Sequence, residues 1–199
     1  EKATFQLFEE ADLTVRRSSD VDYRATIDDP RIAEVRILRP QEIPVYVANG
    51  LFDVGIAGRD WIEETGSDVT SLGELKYSKV TAKPVKIVVA VPADSAYESI
   101  KDLPQGVRVS SEYPELTKRH FAEAGVEADV QLSYGATEAK APEIVDAVVD
   151  LTETGSALKA AGLKIIDEIL TSYTEIFANN DSYQDPDKCK AMEQIKTLL

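Results

Sequence analysis

The chain is poor in the residues that most enzymes use as nucleophiles or metal ligands. Its 199 residues include one cysteine, one histidine, one tryptophan and one methionine. With Cys189 alone, an intrachain disulfide is excluded, and Cys189 and His120 are too few for a Cys/His zinc site. Ser-His-Asp or Cys-His catalysis would have to use His120. That residue lies in the basic stretch LTKRHF (116–121) and reads as a partly exposed helical residue. Cys189, inside the last predicted helix, reads the same way. Positive charge is also scarce: 22 Lys and Arg face 36 Asp and Glu, a net charge of -14. This excludes a nonspecific nucleic-acid binder. A small anionic ligand remains compatible, because local loops and helix ends bind it rather than net charge. No run approaches the roughly 18 apolar residues that span a membrane. The acidic, amphipathic start EKATFQLFEEADL is unlike a secretory signal. Together with the missing disulfides, these features predict a cytoplasmic protein.

What is present is alternation. Phe5, Phe8 and Ala11 at helical spacing predict a helix over 2–11. Residues 12–30 read as a long loop or a pair of short strands, and VRILR (35–39) as a strand that stops before Pro40. Helices are predicted over 40–50 and 59–66, the second closed by Gly66, with the buried strand FDVGIAGRD (52–60) between them. Strands follow at 85–92, 106–111, 128–134 and 146–151. Helices are predicted at 114–125, 137–145 and 156–162. Residues 165–179 read as strands and 185–199 as an amphipathic helix. The alternation predicts an α/β architecture with mainly parallel sheets. The polar segment GELKYSKVTAKP (73–84) reads as a crossover between two lobes.

Residues 146–158 read DAVVDLTETGSAL. An apolar strand ends in a Thr-Gly-Ser turn that opens a helix, where backbone N–H groups lack partners within the helix. Gly155 admits a phosphate, and Thr154 and Ser156 add hydroxyl donors. The carboxylates Asp146, Asp150 and Glu153 would repel a bare phosphate. They suit a ligand that also carries sugar hydroxyls and a magnesium-bound diphosphate, with Asp150 facing Mg²⁺ directly or through water. The same string also fits an ordinary helix start flanked by solvated acids. Gly55, Gly58, Arg59 and Asp60 in DVGIAGRD form a second small-residue turn, beside which Trp61 reads as a packing anchor. SYGATEAKAP (133–142) forms a third, with Glu138 in the first helical turn. Either turn also fits plain βα packing.

Taken in order, RPQEIPVYVANGLFDVGIAGRDWIEE, VVAVP, VRVSSEYPELTKRHFAEAGV, YGATEAKAPEIVDAVVDLTETGSALKAAGL and IIDEILTSYTEIFAN resemble the ATP phosphoribosyltransferase family of histidine biosynthesis. They cover most of residues 39–179. The resemblance implies transfer of the 5-phosphoribosyl group of phosphoribosyl diphosphate (PRPP) to N1 of the ATP adenine, with release of pyrophosphate and Mg²⁺ as cofactor. It implies a two-lobed fold of the type II periplasmic-binding-protein kind, with the active site in the interlobe cleft. Residues 1–84 and 169–199 would form the ATP-side lobe, and 85–168 the PRPP lobe.

Residue by residue, the resemblance places Asp146, Asp150, Glu153, Thr154, Gly155, Ser156 and Ala157 around PRPP. Asp150, Glu153 and Glu138 would be catalytic, and Asp150 would be nearest the metal. Arg39, Gly58, Arg59, Asp60 and Tyr113 would lie on the ATP side. It further implies a homo-oligomer, with histidine as feedback inhibitor acting through a regulatory domain or subunit outside this chain. The family pattern places a strand and a Pro-Lys-Gly segment before the first helix, so the chain reads as an N-terminally truncated catalytic core, nearer the long form. Many relatives carry threonine where Ala157 stands. The competing reading is a noncatalytic small-molecule-binding module of the same fold, since fold does not fix function.

Overall fold

A computed structural model describes residues 1–76 and 84–199. The chain forms two units: Glu1–Ala82 with Thr174–Leu199, and Lys83–Tyr173. Most of the expected crossover at 73–84 lies outside the described residues, although its first two residues close a strand. The return to the first unit falls at Tyr173/Thr174, beyond residue 168, because one strand runs on to Ser172.

In order, the first unit contains α1 (Lys2–Glu10), β1 (Val15–Arg16), β2 (Arg24–Ile27), β3 (Val35–Arg36), α2 (Ile43–Ala48), β4 (Val54–Gly58), α3 (Arg59–Thr65) and β5 (Thr70–Glu74). The second contains β6 (Val85–Pro92), β7 (Val107–Ser111), α4 (Pro114–Glu123), β8 (Ala128–Leu132), β9 (Ala147–Thr152), α5 (Ser156–Ala160) and β10 (Leu163–Ser172). The chain then adds β11 (Thr174–Ala178), α6 (Asn180–Gln184) and α7 (Pro186–Leu198) to the first unit. Proline in the first turn of α2, α4 and α7 sits where its missing N–H removes no helical bond. Asp185 caps α7, its carboxylate accepting from the amides of Asp187 and Lys188.

The expectation of mainly parallel sheets is corrected. In the second unit the order is β10-β6-β9-β7-β8. Strands β7, β8 and β9 are parallel, and β6 lies antiparallel between β9 and β10. In the first unit β11 lies antiparallel between β4 and β5. In both sheets the βα connections make their strands point one way. The reversed strand in each is the one just past the passage between units, β6 on entry and β11 on return. Alternation of strands and helices reports the first fact and is silent on the second. Strands β1, β2 and β3 form a separate antiparallel sheet.

Two other expectations change. The helix over 137–145 shrinks to a 3₁₀ turn, Thr137–Lys140. Pro142 lacks an N–H and forces Ala141 into extended backbone, so the helix cannot continue. The strand over 35–39 is only the two residues of β3.

Burial follows the pattern of the sheets. Ile87, Val88, Val89, Ala90 and Val91 of β6 are each at most 2% exposed, as befits a strand covered on both faces. Val88, Ala90, Val148, Leu158 and Leu163 share one cluster on this sheet. In the first unit, Ile176 packs with Leu7, Leu72 and Met192, and Phe177 packs on the opposite face with Val47, Ala57 and Ile62.

Gly55 lies on β4 beneath Phe177. A Cβ there would stand 2.7 Å from Ile43 Cγ2 and 2.8 Å from the Phe177 ring. Gly55→Ala is expected to destabilise the chain by about 1–3 kcal/mol through overpacking. Thermal or urea unfolding checks this, as a lowered midpoint with no change in secondary-structure content.

Candidate functional site

Three loops leave the carboxyl edge of the parallel strands in the second unit, where ligands bind in open α/β sheets. After β7, buried Ser111 accepts hydrogen bonds from the Tyr113 amide and the Thr117 hydroxyl, each at 2.9 Å. This fixes the turn that carries Glu112. After β8, buried Ser133 lies 2.8 Å from the Thr137 hydroxyl and accepts from Lys140 Nζ at 2.6 Å. Glu138 sits in the turn that follows. After β9, Thr152 Oγ1 accepts from the Gly155 amide at 2.6 Å, and the Thr154 and Ser156 hydroxyls lie 2.9 Å apart. Gly155 has φ +78°, and a side chain there would make only an ordinary contact with Ile165 Cδ1 at 3.4 Å. Glycine is therefore favoured on conformational grounds. Glu153, Thr154, Ser156 and Ala157 are exposed to solvent. The amides of Ser156, Ala157 and Leu158 precede the first intrahelical donor, the Lys159 amide, whose bond to the Gly155 carbonyl opens α5. A helix of five residues has a small dipole, so an anion would be held here by loop amides and hydroxyls.

The three loops bring carboxylates together. Asp150 is half-buried on β9, and the carboxylates of Glu138 and Glu112 lie within electrostatic reach of it. Burial raises the Asp150 carboxyl above the ordinary carboxylate range, and the charges of Glu138 and Glu112 add to this. The Leu151 amide, donating at 2.7 Å, opposes the rise. A carboxylate whose ionisation is opposed by burial and by neighbouring charges is a candidate for a functional position. The cluster suits cations or hydroxyl donors. Among the described residues no group of three His, Cys, Asp or Glu side chains is arranged to hold a metal ion. This donor set fits a Mg²⁺ that keeps water and substrate oxygens as ligands, as that ion prefers, and not a protein cage.

The remaining predicted residues are dispersed. Asp146 stands before β9, about 20 Å from Thr152 along an extended strand. There it accepts from the Arg108 amide at 3.0 Å and pairs with the Arg108 guanidinium, also at 3.0 Å. The Arg108 bonds lower its pKa. Strand direction thus removes Asp146 from the loop that its sequence neighbours form. Tyr113 is 3% exposed and its ring belongs to the core of the second unit, so it is not open to a ligand. Gly58 ends β4, and Arg59 and Asp60 open α3. Arg59 is ion-paired with Glu63 and with Glu175 at 3.3 Å, and Asp60 is buried. Arg39 is exposed in the loop after β3. His120 lies 2.7 Å from Asp167, tying α4 to β10.

Sequence reading missed Glu112 and a second, basic feature. In the β1-β2-β3 sheet, Arg16 faces Thr26 and Arg24 faces Arg36. Val15, Ala25, Ile27 and Val35 occupy the other face. Three arginines therefore share one face in a chain of net charge -14. Arg36 pairs with Glu34, but the structure gives no ion pair for Arg16 or Arg24 among the described residues. The alternation in RATI was the available signal. A cavity of about 710 Å³ in the first unit is lined by apolar groups such as Phe5, Phe8, Val54, Ile56 and Met192. Gly55 of the second turn and Arg36 of the arginine face also border it, and no residue of the three loops does.

Comparison with known proteins narrows the reading. Residues 39–199 match the family described as HisG, ATP phosphoribosyltransferase. The chain is 45% identical over 201 residues to the ATP phosphoribosyltransferase of Pelotomaculum thermopropionicum, covering 100% of this chain and 68% of that protein. The HisG:HisZ ATP phosphoribosyl transferase complex from Thermotoga maritima contains a chain that superposes with a TM-score of 0.79 at 21% identity, covering 98% of this chain and 92% of that one. A substrate-binding protein of an amino acid ABC transporter superposes with a TM-score of 0.51 at 15% identity, covering 79% and 69%. These two likenesses show the fold alone, a two-unit α/β fold of the type II periplasmic-binding-protein kind.

The raised pKa of Asp150 has a sign that can be tested. The folded chain holds the Asp150 proton more tightly than the unfolded chain, so this group's contribution to stability falls as pH rises above the ordinary value of 3.8. Asp150→Asn removes that penalty and keeps an oxygen for the Leu151 amide. The variant is expected to melt at a higher temperature than the parent at pH 7. Melts repeated at falling pH should show the gap closing below the ordinary value of 3.8.

Proposed function

The chain belongs to the ATP phosphoribosyltransferase family, and we propose that it transfers the 5-phosphoribosyl group of PRPP to N1 of the adenine of ATP, releasing pyrophosphate, as the first step of histidine biosynthesis. The observation that carries this reading is the junction of two unlike features at one sheet edge. A hydroxyl-rich Thr-Gly-Ser loop stands beside half-buried Asp150, with Glu138 and Glu112 around it. A 5'-phosphate suits the first feature. Ribose hydroxyls and a developing positive charge at C1 suit the second.

In this reading Thr154, Gly155, Ser156 and Ala157 surround the 5'-phosphate. Asp150 and Glu153 accept hydrogen bonds from the ribose, and Glu138 adds negative potential behind C1. The N1 lone pair forms the new bond to C1 as the C1–O bond breaks, and that electron pair leaves on the diphosphate. Adenine N1 is already a nucleophile, so the scarcity of His and Cys costs nothing. Catalysis rests on positioning the two reactants and on stabilising charge that appears only in the transition state. Mg²⁺, carried in on the diphosphate beside Asp150, would supply charge neutralisation for the leaving group. The arginine face of the first unit suits a polyphosphate better than Arg59, whose charge Glu63 and Glu175 already meet. Gly58, Asp60 and Arg39 remain as lesser candidates on the ATP side, and buried Tyr113 is set aside.

The same reading carries the expectations of a homo-oligomer, of feedback by histidine through a part or partner outside this chain, and of a cytoplasmic location, where both substrates are made. The alternative, a noncatalytic binding module, shares the fold but is not favoured by the relatives at 45% identity.

Mixing the protein with ATP, PRPP and Mg²⁺ should give an ultraviolet change as adenine is ribosylated. A silent protein would overturn the enzyme reading. Asp150→Asn combined with Glu153→Gln is expected to lower turnover by about 100-fold or more. Unchanged turnover in that variant would show that the acids are wrongly assigned.

A further inference from the structure

We infer that Tyr134 is a specificity-determining residue, a rigid stacking platform for the purine ring of the nucleotide at the site that Glu138 and Asp150 share. The inference rests on the proposed ribosyl transfer and goes beyond it, because neither composition nor family resemblance gives Tyr134 a role.

The first observation is a contrast between the ring and its support. Tyr134 is 93% exposed, the most exposed large hydrophobic among the described residues. The backbone that presents it is held firmly. Ser133, just before it, is 3% exposed, its amide donates to the Ser111 carbonyl at 2.8 Å, and its hydroxyl meets both Thr137 and Lys140. Just after it come Gly135 at φ +127° and Ala136 at φ +47°. Ala136 is one of two non-glycine residues with positive φ among the described residues. A left-handed alanine is unfavourable and persists only where its surroundings over-determine it. The loop thus spends buried hydrogen bonds and backbone strain on a turn whose one large side chain stands in water.

The second observation is position and charge. The same loop runs into the turn that carries Glu138, whose charge acts on Asp150 together with that of Glu112. Lys140, the nearby cation on this segment, is occupied by Ser133. A phosphate with no metal ion to neutralise it is repelled from such a place, and a flat ring is not. Ribosylation at N1 makes that ring cationic until a proton leaves its exocyclic amine. An aromatic face and neighbouring carboxylates both favour a cation. Leu132 and Ile144 are also exposed in this unit, so a protein contact is the rival use of the ring.

Steady-state kinetics on the chain decides between them. Tyr134→Ala should raise the KM for ATP about tenfold, the loss of one base–aromatic stack. The KM for PRPP and the melting temperature should stay as in the parent. Tyr134→Phe and Tyr134→Trp should restore the ATP value. An unchanged KM for ATP in the alanine variant overturns the inference, as does a phenylalanine variant that behaves like alanine. A changed oligomeric state with unchanged KM assigns the ring to a protein contact and overturns it equally. Adenosine titration followed by the Tyr134 ring-proton resonances gives a reading free of turnover. Upfield shifts in a protein that does not turn over would sustain the platform and reject the transfer reaction. Turnover without such shifts would do the reverse, and neither turnover nor shifts rejects both.

Discussion

Ile87 to Val91 of β6 are withdrawn from water on both sides of their sheet. The four branched residues among them contribute roughly 6–12 kcal/mol of gross burial free energy. That is comparable to the whole net stability of a domain. This burial holds β9 in register, with Asp150 opposite Val88 and Val149 opposite Val89. Because β9 is locked between β6 and β7, its last residues leave the sheet at a fixed place. Asp150 is therefore half-buried there and meets Glu138. A half-buried carboxylate beside two others is unfavourable for folding. It is tolerated because the strand that carries it is anchored so strongly.

The two units differ in their local electrostatics. The second unit offers carboxylates around a hydroxyl-rich loop, and the first offers an arginine face on a small sheet whose other face is apolar. Like charges directly opposite one another, as with Arg24 and Arg36, disfavour that sheet. A net charge of -14 gives no hint of such a surface. The charges that matter for a phosphorylated substrate are local, set by which side chains strand register places together.

The scaffold itself does not choose an activity. Sheets with one reversed strand and loops at the carboxyl edge also serve proteins that only bind solutes. What distinguishes this chain sits in three short loops, each pinned by a buried hydroxyl or a threonine at a strand end: Ser111, Ser133 and Thr152. Small residues that fix a backbone turn hold larger groups at the surface. This division lets loops of two to four residues position carboxylates and an aromatic ring.

Much was readable along the chain, because the information was local. Apolar runs marked β6 and β9, prolines marked the starts of α2 and α4, and DLTETGSAL marked the loop with Asp150. Three features were beyond local reading. Strand direction was one: β6 and β11 reverse within their sheets, and a sequence pattern with period 2 has no sign. Pro142 cut short the helix expected over 137–145, a conflict visible in the sequence but outweighed there by the spacing around it. Proximity was the third. Asp146 is four residues from Asp150, yet extended backbone carries it to the far end of the strand, to Arg108. Glu112 and Glu138 are far away in sequence and close in space. The sequence by itself determined which segments would be strands, helices and phosphate-compatible turns, since those depend on neighbours along the chain. Only the tertiary structure decided which carboxylates share a site and which arginines share a face, because register and strand order set distances that no spacing in sequence encodes.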